Sequence, residues 1–144
     1  MNWLTSAKKY TDTYEAQKQH HWTDINEYMP VVSDQVGKKV GILGYGSSGR
    51  QIARVSAALD MTVHAYTASP RATPASRGDT HYVVPGMGDA DGLIPVSWHH
   101  GRDRESIHSF LSLGLDHLVI CIPLIPQTTH LIGADEFALL ARNI

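Results

Sequence analysis

The chain has 144 residues, of which 42% are hydrophobic and 18% charged, and its formal net charge is −2. This length suits one domain with a single core, and the nearly neutral charge, without a basic run, argues against a nucleic-acid surface. No apolar stretch approaches the roughly 18 residues that a membrane helix requires, and the amino terminus lacks the apolar core of a signal peptide.

Residues 2–18 form the first predicted element, a helix. Trp3, Tyr10 and Tyr14 recur there at helical steps and give an aromatic stripe on one face. The helix begins with little capping, as though a longer helix had been entered part-way. Residues 19–36 predict an irregular connector in which Trp22 and Tyr28 serve as packing anchors. Two uses of the stripe stay open: packing against the chain's own surface, or contact with a partner in a homodimer.

The stretch that follows, residues 39–59, is the one around which we expect the chain to be organised. An apolar run from Val40 to Leu43 predicts a buried strand, and a helical pattern over residues 50–59 follows it. Between them lies the sequence G-x-G-x-x-G, in which the glycines permit a tight turn, close approach of a pyrophosphate and close helix packing. The predicted nucleotide-binding residues of this turn are Gly44, Tyr45, Gly46, Ser47, Ser48 and Gly49.

Residues 62–66 predict a second strand, which completes a β-α-β unit. A fold of this kind that prefers NAD carries an acidic residue after this strand, where it binds the adenosine ribose. Thr67 occupies that position, and Ser69 and Arg71 follow it. Hydroxyl groups and a guanidinium suit a 2′-phosphate, so NADP is favoured and NAD is disfavoured. The alternative is a polar turn with one solvated arginine.

The rest of the chain predicts further elements of a parallel sheet. Residues 70–103 are rich in Gly and Pro, with a short strand at 81–84; a helix over 105–113, a strand over 116–122 and a helix over 134–141 follow. We expect a doubly wound α/β sheet in the order 3-2-1-4, with the motif strand internal and the sheet incomplete on its carboxyl-terminal side. The predicted division is a linking helix and connector over 1–36 and a Rossmann-like domain over 37–144.

Metal binding and secretion are both disfavoured by the remaining residues. The nine histidines include two adjacent pairs without a supporting Cys or carboxylate pattern, so we expect no metal site. The carboxylates of residues 86–92 lack the spacing of a calcium loop, which predicts a surface turn. The single cysteine, Cys121, cannot form an internal disulfide, which fits a cytoplasmic protein.

Taken together, these segments resemble the coenzyme-binding domain of the D-isomer-specific 2-hydroxyacid dehydrogenases. The resemblance covers about residues 38–143, and residues 41–50, 65–66 and 115–120 carry it. It is most specific over 123–132, which are similar to the family's P-L-T-x-x-T-x-x-L-I pattern. The resemblance implies hydride transfer between NADP(H) and a 2-hydroxy or 2-oxo acid. At the carboxyl edge of the sheet it adds four cofactor-binding residues: Ile122, Pro123, Leu124 and Thr128.

The chain departs from the family pattern in three ways. Thr67 replaces the usual acid, Ile125 replaces the first Thr of P-L-T, and no residue matches the family's catalytic Arg, Glu and His. We therefore expect no catalytic residues here and a domain that is catalytically incomplete as this chain alone. Two alternatives remain: a non-catalytic nucleotide-binding or interaction module, and a methyltransferase-type domain, which the missing acid disfavours.

Overall fold

The computed structural model describes residues 2–140, and for Asn2 the backbone only. The chain divides into two compact units, residues 1–36 and 37–144. The first unit contains helices α1 (Asn2–Ala7), α2 (Tyr10–Lys18) and α3 (Ile25–Tyr28) and a 3-10 turn (Met29–Val31). The second contains strands β1 (Lys39–Leu43), β2 (Thr62–Thr67), β3 (Ser97–His100) and β4 (His117–Ile120) with four helices, α4 (Ser47–Ala58), α5 (Pro74–Arg77), α6 (Arg104–Leu111) and α7 (Ala134–Leu140).

The first unit differs from its prediction in two places. The single helix expected over 2–18 is broken, because Lys9 adopts the left-handed conformation (φ 50°) between α1 and α2. Trp22, predicted to be a packing anchor, is 94% exposed, so that prediction is wrong. Tyr28 is half-buried, and its hydroxyl donates a hydrogen bond to the Lys8 carbonyl at 2.6 Å. Since α2 buries none of its residues, its aromatic side chains contribute nothing to a core.

The four strands form one parallel sheet in the order β3-β2-β1-β4. The fold is therefore the predicted α/β type, with β1 internal as expected. Val40, Ile42 and Leu43 are buried, which explains the unbroken apolar run of this strand. Gly41 lies among them because a Cβ there would come within 2.4 Å of the Leu115 side chain.

The outer strand β3 was not predicted. The expected strand at 81–84 is absent, and Ser97–His100 pairs with β2 instead, with His64 opposite Ser97 and Thr67 opposite His100. In the sequence Ser-Trp-His-His only Trp98 has a high strand propensity, and no β-branched residue supports it, so the local strand signal is weak. Pairing with β2 determines the conformation of this segment.

Three helices of the second unit, α4, α6 and α7, begin close to their predicted positions, whereas α5 was not predicted. α4 starts at Ser47, three residues before the predicted start, because Gly46 is already its N-cap. From α6, Ile107, Phe110 and Leu111 enter the core, and Phe110 packs against Tyr66 at 5.1 Å between ring centroids. The predicted end of the last helix at Ala141 lies outside the described residues. No helix within residues 2–140 has the length and apolarity to span a membrane.

Candidate functional site

The turn after β1 requires glycine at its first motif position. Gly44 has φ 98°, and a Cβ there would lie 2.8 Å from the backbone carbonyl of Cys121, the residue that follows β4. The Gly44 N–H donates to the Tyr66 carbonyl at 2.9 Å, and the Cys121 N–H donates to the Leu43 carbonyl at 2.8 Å. The turn is thus held between the ends of both neighbouring strands.

The other two motif glycines have opposite surroundings. At Gly49 a Cβ would lie 2.3 Å from the Gly44 carbonyl oxygen, so this glycine lets α4 pack against the turn. At Gly46 a Cβ would meet no atom within 4 Å, so the backbone there borders open space. A ligand can therefore approach the chain closely at Gly46, as the motif predicts.

The open space lies at the amino terminus of α4. No side chain caps this helix, and the first N–H bonded to the motif backbone is that of Arg50, which donates to the Gly46 carbonyl at 2.9 Å. Ser47 and Ser48 are exposed in the first turn. Free N–H groups and the positive end of the helix dipole favour an anion here, so these residues fit a diphosphate.

Tyr45, also predicted to bind the cofactor, directs its side chain into the protein. Its hydroxyl donates to Asp89 at 2.7 Å, and its ring meets Trp98 edge-on at 4.9 Å. Burial, together with the hydrogen bond to Asp89, raises the pKa of the Tyr45 hydroxyl. Tyr45 can therefore offer the turn only its backbone.

A buried arginine connects α4 to the loop that precedes β3. Arg50 is 4% exposed; its Nε lies 3.4 Å from the Asp79 carboxylate, and its other nitrogens donate to the carbonyls of Asp89 and Arg77. Asp89 in turn accepts from the N–H groups of Leu93 and Ile94. The prediction of a surface turn over 86–92 is therefore wrong at Asp89, which is 7% exposed.

A cavity of about 550 Å³ lies at the carboxyl ends of the strands. Four of the predicted cofactor-binding residues line it, each from a different part of this edge: Gly44, Thr67, Ile122 and Thr128. The predicted residues Pro123 and Leu124 are exposed in the loop after β4, outside this lining. This is the edge at which doubly wound sheets bind ligands.

The loop after β4 is organised by Thr128. Its hydroxyl donates to the Pro123 carbonyl at 2.6 Å and accepts from the Ile125 N–H at 2.9 Å. Ile125, which stands where the family has a hydroxyl, lines the cavity with an apolar side chain. Thr128 therefore shapes the cavity wall through the backbone of its own loop.

The polar turn after β2 is partly satisfied by its own backbone. The Thr67 hydroxyl donates to the Ser69 carbonyl at 2.8 Å, and one Arg71 nitrogen donates to the Ser76 carbonyl. Ser69 is exposed. Neither Ser69 nor Arg71 lines the cavity itself, but both lie in the segment that continues from Thr67.

Arg102 was not among the predicted site residues. Arg102 precedes α6 and lines the cavity beside Gly101, whose N–H donates to the Thr67 carbonyl at 3.2 Å. The pairing of β2 with β3 brings it there, and this pairing could not be predicted while β3 was unrecognised.

Within residues 2–140, no group of three or more His, Cys, Asp or Glu side chains is arranged to hold a metal ion.

The sequence matches one family, described as D-isomer specific 2-hydroxyacid dehydrogenase, NAD binding domain, over residues 1–87. None of the curated proteins matches the sequence.

Solved structures of larger enzymes share the fold. An NADPH-dependent glyoxylate/hydroxypyruvate reductase from Sinorhizobium meliloti, in complex with NADP and sulfate, is 25% identical with a TM-score of 0.63; 97% of this chain and 35% of that chain are covered. An NAD-dependent formate dehydrogenase from Staphylococcus aureus, in complex with NAD, is 16% identical with a TM-score of 0.68 and the same coverage of 97% and 35%. A glycerate dehydrogenase related protein from Thermoplasma acidophilum is 23% identical with a TM-score of 0.61, and 94% of this chain and 37% of that chain are covered. The chain thus spans little more than a third of the length of these structures.

Proposed function

Because the chain belongs to the D-isomer specific 2-hydroxyacid dehydrogenase family and carries its NAD-binding domain, we propose how its residues hold the dinucleotide. The pyrophosphate lies at the amino terminus of α4, over Gly46, and the adenosine enters the 550 Å³ cavity. The observation that carries this proposal is the open space at Gly46 beside a helix terminus without a side-chain cap. Residues 37–144 form the binding domain in this proposal, and residues 1–36 form the linking segment.

We further propose that the preferred cofactor is NADP. Thr67 ends β2 at the cavity, where an acid would hold the ribose of NAD, and Arg71 follows four residues later. Ser69 offers a hydroxyl group and Arg71 offers a guanidinium, and both suit a 2′-phosphate. The Thr67 hydroxyl joins them when it turns away from the Ser69 carbonyl, to which it donates in the structure. The Sinorhizobium meliloti reductase, at 25% identity, has NADP in its structure, which supports this choice.

Titration of the protein with NADPH and with NADH, followed by nicotinamide fluorescence, tests both proposals. NADPH should bind more tightly. Arg71→Ala should remove most of that difference, on the order of 1.5–3 kcal/mol for a hydrogen bond to a charged group. Equal affinities of the parent protein for NADPH and NADH would contradict the proposal and leave Thr67, Ser69 and Arg71 as a polar turn without a role in cofactor choice.

The larger reaction in which this domain takes part is proposed to be hydride transfer between the nicotinamide and a 2-hydroxy or 2-oxo acid. The cofactor supplies the hydride. The residues of this chain bind and orient the dinucleotide and shape the cavity at the sheet edge. The similarity to the glyoxylate/hydroxypyruvate reductase from Sinorhizobium meliloti supports this class of substrate.

A second candidate function, contact with another copy of the chain, is favoured by the surface of the first unit. A groove of about 720 Å³ is lined there by Ala16, Trp22, Ile25 and Tyr28, among others, and Tyr10 and Tyr14 stack on the exposed face of α2 at 6.0 Å. We propose a homodimer through this surface. Light scattering after gel filtration should give twice the chain mass, and Trp22→Glu should give the monomer; a monomeric parent protein would contradict the proposal.

A further inference from the structure

The cavity of about 550 Å³, in which we place the adenosine, is lined by a cation, Arg102, that was not among the predicted cofactor-binding residues. Arg102, which follows β3, lines the cavity together with Thr67 and Ala68 at the end of β2. Thr67 pairs with His100 across β2 and β3, and the Gly101 N–H donates to the Thr67 carbonyl at 3.2 Å. Arg102 therefore flanks the position at which this fold holds the adenosine ribose.

Within residues 2–140 the Arg102 guanidinium makes no hydrogen bond, ion pair or ring contact, and its side chain is exposed. The adjacent residue in the sequence, Asp103, forms no ion pair with Arg102 and accepts from the Ser106 N–H at 2.8 Å as the cap of α6. Arg71 differs, since one of its nitrogens is bonded to the Ser76 carbonyl. Arg102 is thus a cation at the cavity whose donors are all available.

A 2′-phosphate needs more positive charge than one guanidinium supplies. A phosphate monoester carries about −1.5 to −2 charges at pH 7, and it has three strong acceptor oxygens. Arg71 provides one positive charge, and one of its guanidinium nitrogens already donates to the Ser76 carbonyl. A second donor to the 2′-phosphate is needed on the side of the ribose position that lies opposite Arg71.

We infer that Arg102 is the second cation of the adenosine site and contacts the 2′-phosphate of the dinucleotide from the β3 side. This inference rests on the proposed function, because it requires NADP in the same cavity. Arg102 then determines cofactor specificity jointly with Arg71, and the two arginines reach the phosphate from β3 and β2 respectively.

The test measures binding of 2′,5′-ADP and of 5′-AMP by calorimetry, because these two probes differ only in the 2′-phosphate. Arg102→Ala should weaken binding of 2′,5′-ADP by about tenfold to a hundredfold, as expected for hydrogen bonds to a charged group, and leave 5′-AMP unchanged. Added salt should reduce the difference between the parent protein and the variant. The matched control is Arg54→Ala, which removes an exposed charge from α4.

Each outcome identifies the statement that fails. A parent protein that binds neither probe contradicts dinucleotide binding at this site, and one that binds both equally contradicts the NADP preference. If the parent prefers 2′,5′-ADP and Arg102→Ala keeps that preference while Arg71→Ala loses it, the inference alone is overturned. Equal weakening of both probes by Arg102→Ala also overturns it, since Arg102 would then contact a part of the nucleotide that both probes share.

Discussion

Gly46 and Gly49 lie three positions apart in one turn, but the space around their α-carbons differs. Gly46 has an ordinary φ of −88° and open space for a side chain, whereas Gly49 is pressed against the Gly44 carbonyl. Gly46→Ala should therefore leave the free energy of unfolding within about 1 kcal/mol of the parent value but weaken dinucleotide binding, because the methyl group would occupy the place of the pyrophosphate.

Gly49→Ala is the matched control for that variant. It should destabilise the fold by about 1–3 kcal/mol, because the new Cβ would lie 2.3 Å from a backbone oxygen that cannot move aside cheaply. Denaturant unfolding gives the stabilities, and NADPH fluorescence gives the binding. Normal binding by Gly46→Ala would mean that the pyrophosphate lies elsewhere.

At the scale of elements, Arg50 connects α4 to the loop before β3. Arg50→Ala would leave the buried Asp79 carboxylate and two carbonyl groups without this donor. Loss of one partner of a buried ion pair costs about 3–5 kcal/mol, so we expect a loss of that size in denaturant unfolding. Arg54 follows Arg50 by four residues in α4 but is exposed. Arg54→Ala should therefore change the free energy of unfolding by less than about 0.5 kcal/mol. Similar losses in the two variants would contradict a specific role for Arg50.

A second connection, between α6 and α7, predicts a dependence on pH. The buried Glu136 carboxylate lies 2.7 Å from His108 Nε2 and accepts from the Gly133 N–H at 2.9 Å. These hydrogen bonds, that of His108 first, lower the pKa of Glu136 from its ordinary 4.5 to about 2. A lowered pKa stabilises the fold above pH 4.5, and this stabilisation is lost as the pH falls from 4.5 towards 2.

The variant Glu136→Gln isolates this contribution. It should be less stable than the parent protein at pH 6. The difference should shrink as the pH falls from 4.5 towards 2, because the Glu136 carboxylate is increasingly protonated over this range. Thermal unfolding at a series of pH values measures the difference. A difference that does not change with pH would exclude the Glu136 charge as its cause.

The elements recognised from the sequence are those whose local pattern agrees with their surroundings. Val40–Leu43 is apolar because both faces of β1 are covered, so its strand, its internal position and the helix after it followed from the pattern. β3 could not be recognised, since Ser97–His100 becomes a strand only by pairing with β2. The Arg50 contacts were missed because their partners are distant in the sequence and are brought near by tertiary packing. The place of Arg102 at the cavity was missed because it depends on the pairing of β2 with β3.

At the scale of the whole molecule, the prediction concerns the reduction of 2-oxo acids by this chain. Reduction of a 2-oxo acid needs a proton donor within about 3 Å of the carbonyl oxygen, and none of the described histidines is held by a carboxylate at the cavity. We therefore expect the 144-residue chain to bind NADPH without oxidising it in the presence of glyoxylate or hydroxypyruvate. Loss of NADPH absorbance measures this. Saturable turnover would contradict the prediction and make His130, in the loop after β4, the first residue to mutate.

The order of the strands also affects how the protein is made. β1 pairs with β2 soon after both are synthesised, but its other neighbour comes much later, since the contact from Lys39 to Asp116 spans 77 residues. At the ribosome's rate of about 5–20 residues per second, β1 waits about 4–15 s for β4. During that time one edge of an apolar strand is open to pairing with another nascent chain. The yield of the protein in cells should therefore depend on translation rate and chaperone supply, even in variants whose finished fold is as stable as the parent's.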